Sequence, residues 1–355
     1  MKLAISCGGA TYAIQDFDET AVYAQEAEKI GVDTIWTAEA WIHDAITPLA
    51  FLAGKTERVR LGTGIMQVGA RTPAMAAMTA MTMTRLTGGR FIMGFGTSGP
   101  QVIEGWHGIS FDRPVARTRE YIEVVRRAIS GEPLTYEGEF YTLPLPGGDG
   151  KALRPTGAAT PDVPIWIASI GPRNLELTGE LADGWLGTVF IPEEAELFFS
   201  HIRTGAERAG RDFDAIEKQS GAGVWFTEDD EQYNRALEAL SVGVAFSLGG
   251  MGSRRYNFYN RAYARQGYAD EAKLVQNLWL DGKRDEARAA VPRELAGKVN
   301  LVGDDAMVKE RLRLYRDIGM DMIFVSPHGD TVEERLETLG RVMDLTNAVN
   351  AEAAA

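Results

Sequence analysis

Along this chain, short apolar runs alternate with longer stretches whose apolar positions recur every three or four residues. KLAIS (2–6) has the pattern of a buried strand. DETAVYAQEAEKI (18–30) switches to helical spacing, with Asp18 or the residue before it as cap and Gly31 as stop. VDTIWTA (32–38) predicts a strand, 45–55 a helix and VRLGTGI (59–65) another strand. Pro73 opens the helix AMAAMTAMTMTRL, Gly88–Gly89 closes it, and RFIMGFG (90–96) follows as a strand. The rhythm resumes with PIWIAS (164–169) and the helix PRNLELTGELA. GWLGTV (184–189) precedes a helix over 194–209, and GAGVWFTED (221–229) precedes one over 229–241. MDMIFVSP (320–327) and a helix over 331–347 complete the series, and the Ala-rich end (351–355) is expected to fray.

Repeated strand–helix units with short connections imply a parallel sheet with helical crossovers. Eight such units in one chain predict an α/β fold, a (β/α)8 TIM barrel, rather than a doubly wound open sheet. Two stretches break the rhythm. Residues 131–163 hold LTYEGEFYTL, a predicted β-hairpin, and a Pro/Gly-rich run; residues 247–300 are mostly helical. Neither shows a core of its own, so residues 1–355 read as a single barrel domain carrying two insertions, the second after strand seven. Insertions of this kind sit over the catalytic mouth.

Charge and composition then narrow the function. The 37 Lys+Arg against 50 Asp+Glu give a formal charge of -13, which argues against a nucleic-acid or anionic-membrane partner and leaves a small-molecule substrate. Local cations and helix amides can still hold a phosphate. The single cysteine, Cys7, forms no intramolecular disulfide, and the four histidines lack metal-ligand spacing, so no metal site is expected. The N-terminus has one Lys and is broken by Gly8–Gly9, which suits a core strand better than a signal peptide. No apolar run approaches the ~18 residues of a membrane span, and the expected compartment is the cytoplasm.

Several segments carry candidate chemistry. GFGTSG (94–99) matches G-x-G-x-x-G, but no helix follows at once and no acid-bearing strand comes next, as a Rossmann unit requires. A ligand-approaching loop at the end of strand four, with Gly96, Thr97, Ser98 and Gly99, fits better. In IASIGPRNLELTGELADGW (167–185), Ser169 and Gly171 turn, Pro172 starts a helix, and Arg173 lies in its first turn. Free amides, a helix N-terminus and a guanidinium suit a phosphate; the plain alternative is a β–α turn with a solvated arginine. Two glycines within LGTGIMQV (61–68) mark a bulge, a close ligand approach or simple packing. After strand two, WTAEAWIHDA clusters Glu39, Trp41, His43 and Asp44, a carboxylate and an imidazole that could move a proton. Asp44 also suits a helix N-cap, and His43 an exposed loop. Trp106 and His107 in EGWHG are pocket-wall material. The Met-rich helix 75–83 reads as core or subunit interface, and RRYNFYNRAYAR (254–265) as an anion-steering or half-exposed lid helix.

Four segments, WTAEAWIHDAITPLAFLA, VRLGTGIMQVGARTPAMAA, GRFIMGFGTSGPQVIEGWHG and IGPRNLELTGELADGW, together resemble the luciferase-like oxidoreductase superfamily. The likeness is to its branch dependent on the 5-deazaflavin coenzyme F420, the methylenetetrahydromethanopterin-reductase-like group, and it covers almost the whole chain. The resemblance implies a tricyclic ring at the C-terminal mouth of the barrel, with a non-prolyl cis peptide at Gly64–Ile65 forming a bulge behind it next to Thr63. It implies that the 167–174 loop (Ala168, Ser169, Gly171, Pro172, Arg173, Asn174) holds the cofactor phosphate and that 96–101 (Gly96, Thr97, Ser98, Gln101) lines its side chain. Glu39 would sit near the ring, and the helices after strands two and three would pair in a homodimer.

The resemblance further implies hydride transfer between the deazaflavin and a small organic substrate. Candidate proton carriers are Glu39, His43 and His107; Trp41, Trp106, Trp225 and Phe246 are candidate substrate walls, with His43 and His107 beside them. The chain departs from the pattern in two places. Several deazaflavin dehydrogenases carry Asp-His where this chain has Glu39–Ala40, and an acid where it has Ser98–Gly99–Pro100. Alternatives are an FMN-dependent monooxygenase of the same fold, a cofactor-binding protein without turnover and, more remotely, an unrelated barrel lyase. Arg254, Arg255 and Arg261 would favour the polyglutamate-like tail of the deazaflavin over FMN.

Overall fold

The computed structural model describes residues 1–7, 16–157 and 159–354; Gly8 and Gly9 lie outside these. Eight strands form the barrel: β1 (Lys2–Ser6), β2 (Thr34–Thr37), β3 (Arg60–Thr63), β4 (Phe91–Gly96), β5 (Ile165–Ala168), β6 (Gly184–Leu186), β7 (Glu217–Phe226) and β8 (Met322–Pro327). Each pairs in parallel with the next, and β8 returns to β1 with Leu3 opposite Ile323, so the sheet closes as expected of a (β/α)8 barrel.

The helices α1 (Phe17–Ile30), α2 (Ile46–Ala53), α3 (Pro73–Leu86), α4 (Pro114–Ile129), α5 (Pro172–Leu181) and α6 (Glu196–Arg208) follow their strands. Their ends obey local chemistry. Asp16, rather than Asp18 or Phe17, caps α1 by accepting from the Asp18 and Glu19 amides at 2.7 and 3.1 Å. Gly31, at φ 110°, ends it in a left-handed turn that any side chain would resist. The hydroxyl of Thr72 accepts from the Met75 amide at 3.2 Å, and Pro73 occupies the first turn of α3.

Large side chains fill the barrel. Trp36, Ile92, Trp166, Leu186 and Met322 pack inside it with Ala4. The two indoles lie with ring centroids 5.3 Å apart, and the Trp36 Nε1 donates to Gln219 Oε1 at 2.8 Å. A Cβ on Gly62 would stand 2.2 Å from the Trp36 ring, and one on Gly184 2.2 Å from the Trp166 ring, so neither position tolerates a side chain. Below this layer the guanidinium of Arg60 grips Glu217 through two bonds of 2.9 Å and donates from Nε to Asp33 at 2.7 Å. Lys2 joins both carboxylates, at 3.5 and 3.6 Å, so first residues of strands from opposite ends of the chain close the bottom of the barrel.

Departures from the expected pattern concentrate after β7. That strand starts at Glu217, four residues before its apolar run, because Glu217 and Gln219 pair inside the barrel with Arg60 and Trp36. The helix after it, α7 (Asp230–Ala245), meets the barrel at Trp225 of β7 and at Val302 beside it, through Ala236 and Leu237. Its Val244 and Ala245 join Leu248, Ala262, Tyr263, Val275 and Leu295 in a second hydrophobic cluster, so the insertion does have a core and begins with α7. The wall is covered instead by α8 (Asp305–Asp317), whose Val308, Leu312 and Tyr315 belong to the main core. A short strand, Leu301–Gly303, adds to β7 beside it.

The insertion is pinned to the barrel. Val189 and Ile191, from the loop after β6, complete its core, and buried Gln266 accepts from the Ile191 amide at 2.8 Å while donating to the Val189 carbonyl at 2.7 Å. Val189 is held at φ 49°, a conformation that β-branched residues avoid. The other insertion forms the expected hairpin, with Tyr136–Glu137 antiparallel to Thr142–Leu143. The last helix, α9 (Val332–Ala354), runs past the expected end at 347 because the terminal alanines are strong helix formers.

The bottom ion cluster makes stability depend on acid. Burial works to raise the Asp33 pKa, but the Thr34 hydroxyl and the Arg60 guanidinium outweigh it and leave the carboxyl below its ordinary value. A depressed carboxyl pKa adds stability above the unfolded value of about 4, and that contribution is lost as pH falls through the folded value. Asp33→Asn is expected to lower the unfolding free energy near neutral pH by on the order of 1–3 kcal/mol. In urea melts at about pH 3 the difference from wild type should shrink.

Candidate active site

The strand ends converge on one mouth. β3 stops at Thr63, the Gly64–Ile65 peptide is cis, and Met66–Gln67 resumes pairing against Phe95 and Gly96 of β4. The Thr63 hydroxyl donates to the Gly94 carbonyl and accepts from the Gly94 amide, both at 2.8 Å. It therefore fixes the two strands rather than facing a ligand. A Cβ on Gly94 would fall 1.9 Å from the Thr63 carbonyl oxygen, and one on Gly96 2.9 Å from Ile65 Cδ1. The glycines of GFGTSG thus admit the bulge and bring Ile65 over the strand end.

A polar chain borders the bulge. The Glu39 carboxylate, 7% exposed, pairs with Arg71 and accepts from the Gln67 amide at 3.1 Å and more weakly from the Ala45 amide at 3.4 Å. The Gln67 side chain, also buried, donates from Nε2 to the Glu39 carbonyl at 3.2 Å. Its Oε1 lies 2.9 Å from His107 Nε2. Glu39 and His107 are therefore joined through Gln67, while His43 stays apart. His43 is exposed, with its ring edge-on to Phe17 at 5.6 Å. Asp44 does cap the next helix, accepting from the Ile46 and Thr47 amides at 2.8 Å. Burial works to raise its pKa, but these bonds and Arg71 hold it below the ordinary value.

Next to β4, whose Gly96 pairs with both Gln67 and Ala168, β5 ends at Ala168 and α5 starts at Pro172. The amides of Gly171 and Arg173 bond to no described residue, and Arg173 is exposed in the first turn. The Asn174 side chain makes one long bond, 3.4 Å to the Ala168 carbonyl, and its Oδ1 is buried without a partner. Ser169 is different: its hydroxyl is buried against Thr178 Oγ1 at 2.8 Å, leaving only its backbone to the loop. The insertion reaches this loop through Arg265, whose Nη2 donates to the Ile170 carbonyl at 2.6 Å. Burial pulls the Arg265 pKa below its ordinary value.

The candidate aromatic walls divide. Trp41 and Trp106 are 54% and 66% exposed, and each is the chain neighbour of a residue that Gln67 contacts, Ala40 by its carbonyl and His107 by its ring. Trp225 instead packs with Tyr233 and Leu240 against Ala236, Leu237, Ala296 and Val302, and stacks on His328 at 3.3 Å. It is committed to anchoring α7. Phe246 sits within the insertion, edge-on to Trp279 at 5.8 Å. Thr97, Ser98 (φ 54°) and Gln101 line the turn into the short helix Pro100–Ile103. Gln67 and Arg71 escaped the sequence reading, and Arg265 entered it only as the last residue of the run 254–265. Gln67 had a faint signal, as the second residue after the cis bond and hence the first polar side chain past the bulge.

The sequence matches the family described as luciferase-like monooxygenase over residues 1–322. The chain belongs to this family. It is 40% identical, over 92% of its length and 95% of the relative's, to a Mycobacterium tuberculosis protein provisionally named a coenzyme F420-dependent oxidoreductase. It is 30% identical to the 5,10-methylenetetrahydromethanopterin reductase of Methanolobus tindarius, over 90% of this chain and 94% of that one. The fold superposes on the coenzyme F420-dependent tetrahydromethanopterin reductase of Methanopyrus kandleri with a TM-score of 0.78 at 23% identity, covering 96% and 97% of the two chains. Among the described residues of this luciferase-like chain, no three His, Cys, Asp or Glu side chains gather as a metal site would, and no helix is long and apolar enough to cross a membrane.

The mouth depends on the contact between Gly94 and Thr63. Gly94→Ala meets backbone that cannot rotate away, and is expected to cost about 1–3 kcal/mol in a denaturant melt. Ala at Gly171, where a Cβ would meet open space, should change stability by less than about 1 kcal/mol.

Proposed function

We propose that this chain is a coenzyme F420-dependent oxidoreductase that moves a hydride between the deazaflavin and a small, uncharged organic substrate. The observation that carries the reading is an unmatched helix N-terminus, with Arg173, following the strand next but one to the bulge that holds the Glu39–Gln67–His107 chain. The residues fit a phosphorylated ring cofactor. Unpaired amides and a guanidinium suit its phosphate, the Asn174 amide has bonding capacity left for its hydroxyl chain, and the Ile65 bulge offers an apolar surface for a ring face. Two relatives, a provisionally named F420-dependent oxidoreductase and a methylenetetrahydromethanopterin reductase, support the deazaflavin over FMN.

When bound, the deazaflavin supplies or accepts the hydride. The chain's residues do the rest: Arg173 and the α5 amides hold the phosphate, and Ile65 backs the ring and keeps water from one face. The Glu39 carboxylate accepts in all of its hydrogen bonds, which suits orienting a donor better than giving a proton. His107 is the better placed proton carrier, and the exposed indoles of Trp41 and Trp106 suit an apolar ketone, alcohol, imine or activated alkene.

Of the arginines in the 254–265 run, Arg265 reaches the loop before α5, through the Ile170 carbonyl. The other three are occupied locally: Arg254 by Asn277 and Asp281, Arg255 over the Tyr256 ring, and Arg261 by the Arg255 carbonyl. Fluorescence titration of the protein is expected to give micromolar or tighter binding of F420 and weaker binding of FMN. Arg173→Ala should weaken F420 binding about tenfold, the loss of one charge-assisted bond. Preferential FMN binding would turn the assignment to a monooxygenase; binding of neither would remove it.

The protein is further proposed to work in the cytoplasm as a homodimer through α2 and α3. Met75, Met78 and Leu86 of α3 are each about half exposed, beside a groove of about 690 Å³ that Met81, Leu134 and Leu143 help line. Such an apolar patch suits a partner surface. Light scattering should give the mass of two chains for wild type and of one for Met78→Glu.

A further inference from the structure

The geometry around Gln67 fixes which nitrogen of His107 carries a proton. Gln67 is 1% exposed, and its amide can turn only one way. Nε2 faces two carbonyl oxygens, those of Glu39 at 3.2 Å and Ala40 at 3.5 Å. Reversing the amide would set its oxygen against both. Oε1 therefore points at His107 Nε2, 2.9 Å away. Two acceptors do not face each other at that distance, so Nε2 must be the N–H donor. The opposite ring nitrogen, Nδ1, bonds to no described residue. The ring is held by its own backbone as well, since the His107 amide donates to the Val102 carbonyl at 3.1 Å.

We infer that Gln67 is a positioning residue that locks His107 as the Nε2–H tautomer and so makes Nδ1 the atom that exchanges a proton with the substrate. The inference rests on the hydride-transfer reading and names a group for its proton. In the reducing direction, the reduced deazaflavin is the reductant. The hydride bonds to the carbon of a C=O or C=N group, the π pair moves to the heteroatom, and that atom takes the proton from Nδ1 of the imidazolium. The ring is left neutral with its remaining proton on Nε2, the form that Gln67 favours. In the oxidising direction the Nδ1 lone pair takes the hydroxyl proton as the hydride leaves. Arg71 and Glu39 act one step further back. The buried ion pair fixes the Glu39 backbone and carboxylate, and these fix Gln67 through its side chain and its amide.

Long-range proton–nitrogen NMR of histidine-labelled, cofactor-free protein tests the lock. Spectra are taken above the imidazole titration, and His107 is assigned by its loss in His107→Gln. The expected result is a single Nε2–H tautomer in wild type and a mixture of tautomers in Gln67→Leu. A wild-type His107 that is mixed, or protonated on Nδ1, overturns the inference, and this holds even if the variant does not fold. The second arm follows single-turnover oxidation of reduced F420 with acetophenone, cyclohexenone and a cyclic imine as probes. Gln67→Leu should slow transfer to the fastest probe about tenfold while F420 affinity stays within about twofold, the mark of a misaligned proton carrier. An unchanged rate overturns the proton role. Reduction of none of the probes by wild type would remove the hydride reading and the proton role with it, while the tautomer, read without cofactor, would report on the lock separately.

Discussion

Two indoles occupy the space that would otherwise be the bore of the barrel, and the rest of the site follows from that. Trp36 and Trp166 lean on each other, and one is tied by its N–H to Gln219. They fit only because Gly62 and Gly184 give way. A bore filled in this manner offers no internal cavity to a large ring, so chemistry is lifted to the strand ends. There β3 breaks, Ile65 crosses above the filled layer, and Gly94 and Gly96 make room for the crossing. The Arg60 cluster below and the bulge above bracket one continuous packed column.

Much of the fold was legible because strand and helix periods differ so sharply. KLAIS, VRLGTGI and RFIMGFG fall where strands form, and Pro73 and Gly31 punctuate helices as their chemistry requires. The misreading after β7 has a physical cause. The apolar spacing of α7 is that of any amphipathic helix, and periodicity cannot say which surface the stripe will meet. Here it meets Leu248, Tyr263 and Val275 of the insertion, while the wall position falls to α8, whose charged surface concealed Val308, Leu312 and Tyr315.

The site was legible in its glycines and less so in its side chains. Gly94 and Gly96 sit where backbone had to be bare, a constraint that leaves a mark in sequence. Side-chain roles depend on who stands opposite. Ser169 looks like a phosphate ligand until Thr178 claims its hydroxyl, and Trp225 looks like a pocket wall until His328 covers it. Gln67 and Arg71 carry no motif; their importance comes from lying within reach of Glu39 and, for Gln67, His107.

The insertion and the loop before α5 are held by neighbouring residues. Gln266 holds the Val189 turn, and Arg265, the residue before it, holds the Ile170 carbonyl. One short segment thus sets the pose of the helices above the mouth and the shape of the loop before α5. In this chain the two are not modular. A graft that replaced the insertion to alter what enters the mouth would also replace the guanidinium at Ile170 and the amide that keeps Val189 in its unfavourable turn. The pose of the helices and the shape of the loop would drift together, and an exchange that respects only the helix boundaries would disturb both.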